Sequence, residues 1–393
     1  MKKLSILLCL VFAAIWTVIA AGNIVTPNKI IIPDIEGYKT LKGDFHIHTV
    51  FSDGNVWPTT RVQEAIWEGL DVIAITEHID TRHQKMVKNG YFNPEKCDRD
   101  ASYEIARKAA GKKLLVVHGG EITRGMPPGH WNCLFVKDND DICMAAEAND
   151  HDHVLAMEGG LKEARKQGAF IMWNHPNWEK QAPNETIMHE AHKKFLKEGY
   201  MDAIEIYNTG YCPEAHEWAL EHNLTMLGNS DSHGPFFYTI DYLHGAHRPV
   251  TLVFAKEKTL EGVREALDNA RTAVFAEGRV YGREQELSQL IKACLKIKKK
   301  LTAKGADITF ENKSSIPITL TKAPGSENYR YDRVLTIPPF SSTSIRAQLL
   351  IDANNKQPKL DDSVKEVEVN FYVENFQIGA DKPLPFKIIA TRK

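Results

Sequence analysis

Neither charge sign is in excess in this 393-residue chain: 49 Lys and Arg against 51 Asp and Glu leave a net charge of −2. That excludes the polybasic footprint of a nucleic-acid binder, and no nucleic-acid partner is expected. Cysteine is sparse. Of six, Cys9 lies in the apolar start, while Cys97, Cys133, Cys143, Cys212 and Cys294 are scattered, odd in number and form no Cys-x-x-Cys pair. Neither a disulfide scaffold nor a thiolate metal site is indicated. No Gly-x-Ser-x-Gly elbow occurs, so a serine nucleophile of that type is not expected. One long apolar run exists, Leu4 to Ala20, preceded by Lys2 and Lys3 and closed by Ala20, Ala21 and Gly22. This is the form of a cleaved secretory signal over 1–22. It is slightly short for a span of ~20 apolar residues and has no basic flank after it. Cys9 follows Leu8 inside the run, away from its end, which argues against a lipid anchor. An exported, periplasmic protein with no membrane span after cleavage is expected.

The richest stretch is Gly43 to Gly54, GDFHIHTVFSDG. Side chains alternate across a strand, so Phe45 and Ile47 point one way and His46 and His48 the other. Asp53 follows in a Ser-Asp-Gly turn that can return an oxygen ligand toward the imidazoles. Such nitrogen and oxygen donors suit zinc, iron or manganese.

Further apolar strands end in similar residues. Val72–Thr76 follows a helical pattern over Thr60–Leu70 and runs into Glu77 and His78. Lys113–Val117 leads to HGGEITR with Glu121 and Arg124, and His130 heads the next strand. Ala169–Asn174 ends in His175-Pro176, where the proline stops the ladder. Asp202–Tyr207 ends in Asn208-Thr209-Gly210, and Leu224–Leu227 ends in GNSDSH with Asp231 and His233. Val250–Phe254 and the helix Leu260–Asn269 finish the pattern. Strands alternating with helices indicate a parallel α/β sheet, and barrels of this kind carry their sites at the carboxyl ends of the strands. Six of the sixteen histidines and three carboxylates fall there, which favours a metal site. Arg82 and His83 lie in a polar segment that can contact substrate. His118 reads as a packing residue. A second His-x-His, in NDHDH at 149–153, reads as a solvated helix start, since no apolar strand delivers it and its aspartates have capping work to do.

In order, the His-x-His of His46 and His48, Asp53, the TEH of His78, the GGE of Glu121, His130, the HP of His175 and the DSH of Asp231 and His233 resemble the PHP (polymerase and histidinol phosphatase) family of metal-dependent phosphoesterases. The resemblance implies a distorted (β/α)7 barrel and three divalent metal ions (Mn, Zn or Fe). The first ion would be held by His46, His48, Glu121 and Asp231. The second would share Glu121 with His130 and His175, and the third would take Asp53, His78 and His233. A hydroxide would sit between the first two. Glu121, Asp231, His233 and Arg124 are the candidate catalytic residues; by chain position Arg124, with Arg82 and His83, is a candidate for gripping the phosphate of a small phosphate ester or assisting the leaving group.

Composition changes after Gly282. Residues 283–300 read as a helical connector ending in the lysine run Lys296–Lys300, and 301–393 as a small all-β sandwich with short alternating strands. The metal-binding barrel is assigned to 23–282. An exported barrel joined to a sandwich is similar in layout to the phosphodiesterases of the family, so small phosphodiesters are the expected substrates. Export argues against biosynthetic or proofreading tasks. The alternatives are a phosphomonoesterase on sugar or nucleoside phosphates, a metal-dependent amidase or lactonase, and a degenerate metal-holding barrel whose sandwich binds a glycan or partner.

Overall fold

The computed structural model describes residues 29–80, 98–180, 182, 184–350, 359–361 and 363–392. The proposed leader, Arg82 and His83 lie outside the described residues.

Seven strands make the barrel wall: β1 (Lys39–Asp44), β2 (Val72–Ile75), β3 (Leu115–Thr123), β4 (His130–Leu134), β5 (Phe170–Trp173), β6 (Ala203–Tyr207) and β7 (Thr225–Gly228). The runs VIAI, FIMW, AIEIY and TMLG are buried throughout, as strands with helices outside and a packed interior must be. β1, β2 and β3 are parallel, as are β5, β6 and β7. β4 runs antiparallel to both β3 and β5. This reversal is the distortion of the barrel, and it has a use. A strand running backwards presents its first residue, His130, at the end where the parallel strands present their last.

The wall closes at the β7 seam through few bonds. The Asp231 amide donates to the His46 carbonyl at 2.9 Å, and the His48 amide donates to the Ser232 carbonyl at 3.1 Å. On the other side β8 (Val250–Ala255) pairs antiparallel with β1, followed by β9 (Thr272–Ala276) and β10 (Arg279–Gly282). The β7 end packs so tightly on β9 that a Cβ at Gly228 would lie 2.1 Å from Val274 Cγ1, so only glycine fits there.

The fold agrees with the distorted (β/α)7 expectation, and the second His-x-His is a helix start. Asp152 caps the helix His153–Lys166, accepting from the amides of Val154 (2.8 Å) and Leu155 (3.0 Å). His118 packs against Tyr103 with its Nε2 2.8 Å from Asp100.

One reading fails. The helix beginning at Glu284 stops at Cys294, and Leu295–Thr302, lysine run included, is a strand, β11. Leu295, Ile297 and Leu301 turn inward at a period of two, while the lysines occupy the exposed edge of a four-stranded sheet. Charge on an edge strand discourages pairing with other chains, which accounts for a lysine run that otherwise resembles a helix end. The sandwich continues with β12 (Gly305–Asn312), β13 (Ile318–Lys322), β14 (Tyr329–Arg330), β15 (Val334–Ile337), β16 (Ser342–Leu349), β17 (Glu366–Gln377) and β18 (Pro383–Thr391). Its sheets, β11-β12-β16-β14 and β15-β13-β17-β18, enclose Phe310 against Phe371 edge to face at 6.0 Å. β17 also pairs in parallel with β10, so the barrel sheet runs into the sandwich without a break.

Cys133, Cys143, Cys212 and Cys294 are buried free thiols, and burial pushes each up to about 12. Folded protein at pH 8 should therefore leave these four unmodified by iodoacetamide, and all four should react after denaturation. Mass spectrometry of the labelled peptides checks this; rapid native labelling at any of the four would contradict it.

Candidate metal centre

The chain beyond β1 stays extended. Phe45 and Ile47 enter the core while His46 and His48 project together on the other side, with ring centroids 5.1 Å apart. Their Nε2 atoms converge on Asp231 Oδ1, at 3.2 Å from His46 and 3.0 Å from His48, and on Glu121 Oε2, at 3.5 and 3.4 Å. The other Glu121 oxygen faces His130 Nδ1 at 3.1 Å and His175 Nε2 at 3.7 Å. His78 reaches Glu121 Oε2 through Nδ1 at 2.8 Å and Asp53 through Nε2 at 3.4 Å, and His233 Nε2 lies 3.0 Å from Asp53.

All nine residues expected as ligands therefore meet. They form four overlapping groups able to hold an ion: His46, His48 and Glu121; His46, His175 and Asp231; Glu121, His130 and His175; and His48, Asp53, His78 and His233. Whether the donors suit a cation can be tested on their hydrogen bonding. His46 Nε2, His48 Nε2 and Glu121 Oε2 are buried and, despite these close approaches, make no hydrogen bond of good geometry among the described residues. Buried polar atoms are nearly always satisfied, and a divalent cation satisfies these three together. The imidazole and carboxylate set matches zinc, manganese or iron.

Several supports escape sequence reasoning. Glu205, buried in β6, accepts from the His175 amide (2.8 Å), Asn208 Nδ2 (3.0 Å) and Asn229 Nδ2 (2.9 Å), and its Oε1 lies 3.0 Å from His46 Nδ1. With Nδ1–H donated to Glu205, the His46 Nε2 lone pair faces the cluster. A lone acid inside the apolar strand AIEIY is the signal that marks it. Asn174 Nδ2 donates to Glu121 at 2.9 Å. Arg61, wholly buried, donates to the carbonyls of His48 (2.9 Å), Ser232 (2.8 Å) and Gly234 (2.8 Å), tying both ligand-bearing loops together. Nothing in its helix announces that. His175 (φ 30°) and Asp231 (φ 48°) occupy the left-handed region, a conformation that persists where surrounding bonds over-determine it.

Arg124 lies outside the cluster. Its guanidinium is buried against Asp80 and the Thr123 carbonyl, with Asp150 at 3.5 Å.

The electrostatics divide the imidazoles. Burial, aided by His78 beside it, pushes His48 down to about 3; burial also takes His130 down to about 4 despite Glu121. Both are neutral donors. For His78 burial is outweighed by Glu121 and Asp53, which lift it to about 9; His46 is likewise raised, by Asp231, Glu205 and Glu121. Burial opposes the ionised forms of Glu121 and Asp231, yet the surrounding imidazoles hold both well below the carboxylate range.

A two-domain protein from Bacteroides vulgatus, described as containing a predicted PHP-like metal-dependent phosphoesterase, is similar over 92% of this chain and 98% of its own, with 38% identity and a TM-score of 0.82. A protein from Bifidobacterium adolescentis, assigned by name as a metal-dependent phosphoesterase, matches 59% of this chain and 97% of its own at 18% identity and a TM-score of 0.39. Residues 291–389 match a family model described as an Ig-like domain. No curated protein matches the chain.

Because His78 is lifted to about 9, it carries a proton at pH 7.5 in metal-free protein, and a ligand nitrogen must lose its proton to bind. Titration of Zn²⁺ or Mn²⁺ into metal-free protein at pH 7.5 should release about one proton or more. Calorimetry in buffers of different ionisation enthalpy measures it. Heats independent of the buffer would contradict the assignment.

Proposed function

The chain belongs to the PHP-like metal-dependent phosphoesterases, and from that premise we propose that it is an exported hydrolase cleaving small phosphodiesters at a centre of three divalent ions. The convergence of nine donors in overlapping groups carries the reading. His46, His48, Glu121 and Asp231 would hold one ion, Glu121, His130 and His175 a second, and Asp53, His78 and His233 a third. Divalent cations there supply the positive charge that a phosphate ester needs and lower the pKa of water toward ~7.

The chain's own residues shape the rest. Glu121 sits between the first two positions, and Asn174 fixes the oxygen that faces His130 and His175. Glu205 keeps His46 in one tautomer and orients the His175 backbone. Asp53 and His233 form the open edge of the cluster, with side chains 27% and 34% exposed, against 0% for His46, His48 and Glu121. Substrate would enter there. Diesters, with one negative charge, are favoured because the expected phosphate-gripping guanidinium, Arg124, is already neutralised by Asp80. Export is supported by the pattern of Lys2-Lys3 followed by the apolar run and small residues.

Metal-loaded protein beginning at Asn23 should cleave bis(p-nitrophenyl) phosphate faster than p-nitrophenyl phosphate. Glu121→Gln should reduce that activity by more than the ~10–100-fold typical of outer-shell partners. Faster monoester cleavage would favour a phosphomonoesterase, and no cleavage of either by fully loaded protein would overturn the hydrolase reading.

A further inference from the structure

A cleft of about 660 Å³ opens directly from Asp231 and His233. It passes the ends of β6 at Tyr207 and Asn208 and reaches His247 and the β9–β10 turn at Glu277. Its size is that of a pocket for a nucleoside or a small glycoside.

The charges along it are one-sided. Glu277 stands exposed in its wall, Asp241 is exposed but paired with His244 Nδ1 at 2.5 Å, and Asp231 belongs to the metal centre. The guanidinium that borders it, Arg248, is wholly buried and already committed. It bonds Glu68 at 3.0 and 2.7 Å and Asp44 at 3.1 Å, and it stacks 3.5 Å from the Phe236 ring centroid. His247 turns its Nδ1 to the Arg248 carbonyl at 2.7 Å, stacks on Phe275, and is kept neutral by burial. Among the described residues the cleft thus offers an anion no free cation once the metal centre is passed.

It does offer hydrogen bonding. Asn208 is 5% exposed, its Nδ2 is spent on Glu205, and its Oδ1 is buried without a hydrogen-bond partner among the described residues. The exposed Thr209 and Thr239 in the lining suit the hydroxyl or amide groups of a bound molecule. Burial, with Glu277 beside it, holds the Tyr207 hydroxyl above the usual phenol range. The turn that carries Glu277 is set by the sandwich, since Asn375 Nδ2 donates to the Gly278 carbonyl at 2.8 Å and to the Pro317 carbonyl at 2.6 Å.

We infer that this cleft receives the alcohol portion of a phosphodiester when that portion is uncharged, hydroxyl-bearing and nucleoside- or sugar-sized, and that it rejects an alcohol carrying a further phosphate. A second phosphate reaching the Glu277 end of the cleft would meet a carboxylate and no free cation among the described lining residues, and like charges at short range repel where water is partly excluded. The inference rests on the proposed phosphodiesterase reading for its chemistry but not for its binding geometry.

The test compares thymidine 5′-(p-nitrophenyl) phosphate with the same ester phosphorylated at the 3′ position, using Mn²⁺-loaded protein. The 3′-phosphate should lower kcat/KM by about tenfold or more. Glu277→Lys should raise kcat/KM for the 3′-phosphorylated ester by about the same factor. Equal values for the two esters in the unaltered protein, or no gain in Glu277→Lys, would overturn the inference. Calorimetric binding of thymidine 5′-phosphate and thymidine 3′,5′-bisphosphate separates the two levels of the argument. Tighter binding of the 5′-phosphate, even with neither ester hydrolysed, supports the cleft while the hydrolase reading fails. Equal or tighter binding of the bisphosphate overturns the cleft assignment whatever is hydrolysed.

Discussion

One carboxylate, Glu121, shut off from water, has the imidazoles of His46, His48, His78, His130 and His175 within 3.7 Å. An isolated charge in such a place would be strongly unfavourable. It is tolerated because cationic and dipolar groups surround it on every side, and because Asn174 holds one of its oxygens. The barrel has to bring histidines from the ends of β1, β2 and β5 and from the start of β4 onto one point. The antiparallel turn of β4 and the left-handed backbone at His175 and Asp231 are local departures that serve this convergence.

Around that point a second layer of buried charge fixes the loops. Arg61 gathers the carbonyls of both ligand-bearing segments, while Arg248 joins Asp44 at the end of β1 to Glu68 at the end of the helix Pro58–Glu68. Asp44 in turn accepts from Ser230, one residue before Asp231. Removing one partner of such a pair leaves an uncompensated buried charge, which costs about 3–5 kcal/mol. These ion pairs are therefore constraints on geometry as much as sources of stability.

Eight of the nine donors were legible in the sequence because each lies near the end of a short apolar strand, just beyond it, or at its head, and a strand end is a position sequence alone can mark. Asp53 was legible from its turn. The supports were less so: Glu205 shows only as an acid within AIEIY, and Arg61 and Arg248 look like ordinary surface charges until folding brings partners more than a hundred residues away. Arg124 illustrates the converse, since proximity in sequence to Glu121 did not bring its guanidinium into the cluster. The lysine run of β11 misled because its charge masked a period-two pattern carried by three apolar residues. Continuity of β10 with β17 was equally hidden, as parallel pairing across a domain boundary leaves no local signature. The sandwich also fixes the β9–β10 turn at Glu277 and Gly278, since Asn375 bonds the Gly278 carbonyl.

The central claim is that the buried imidazoles and carboxylates around Glu121 hold divalent ions. Anomalous diffraction from crystals of Mn²⁺- or Zn²⁺-loaded protein tests it most directly. The account predicts peaks between His46, His48, Glu121 and Asp231 and between Glu121, His130 and His175, with a further peak beside Asp53, His78 and His233. A loaded crystal whose ions lie elsewhere, with His46 Nε2 and Glu121 Oε2 bonded only to water or to each other, would contradict it.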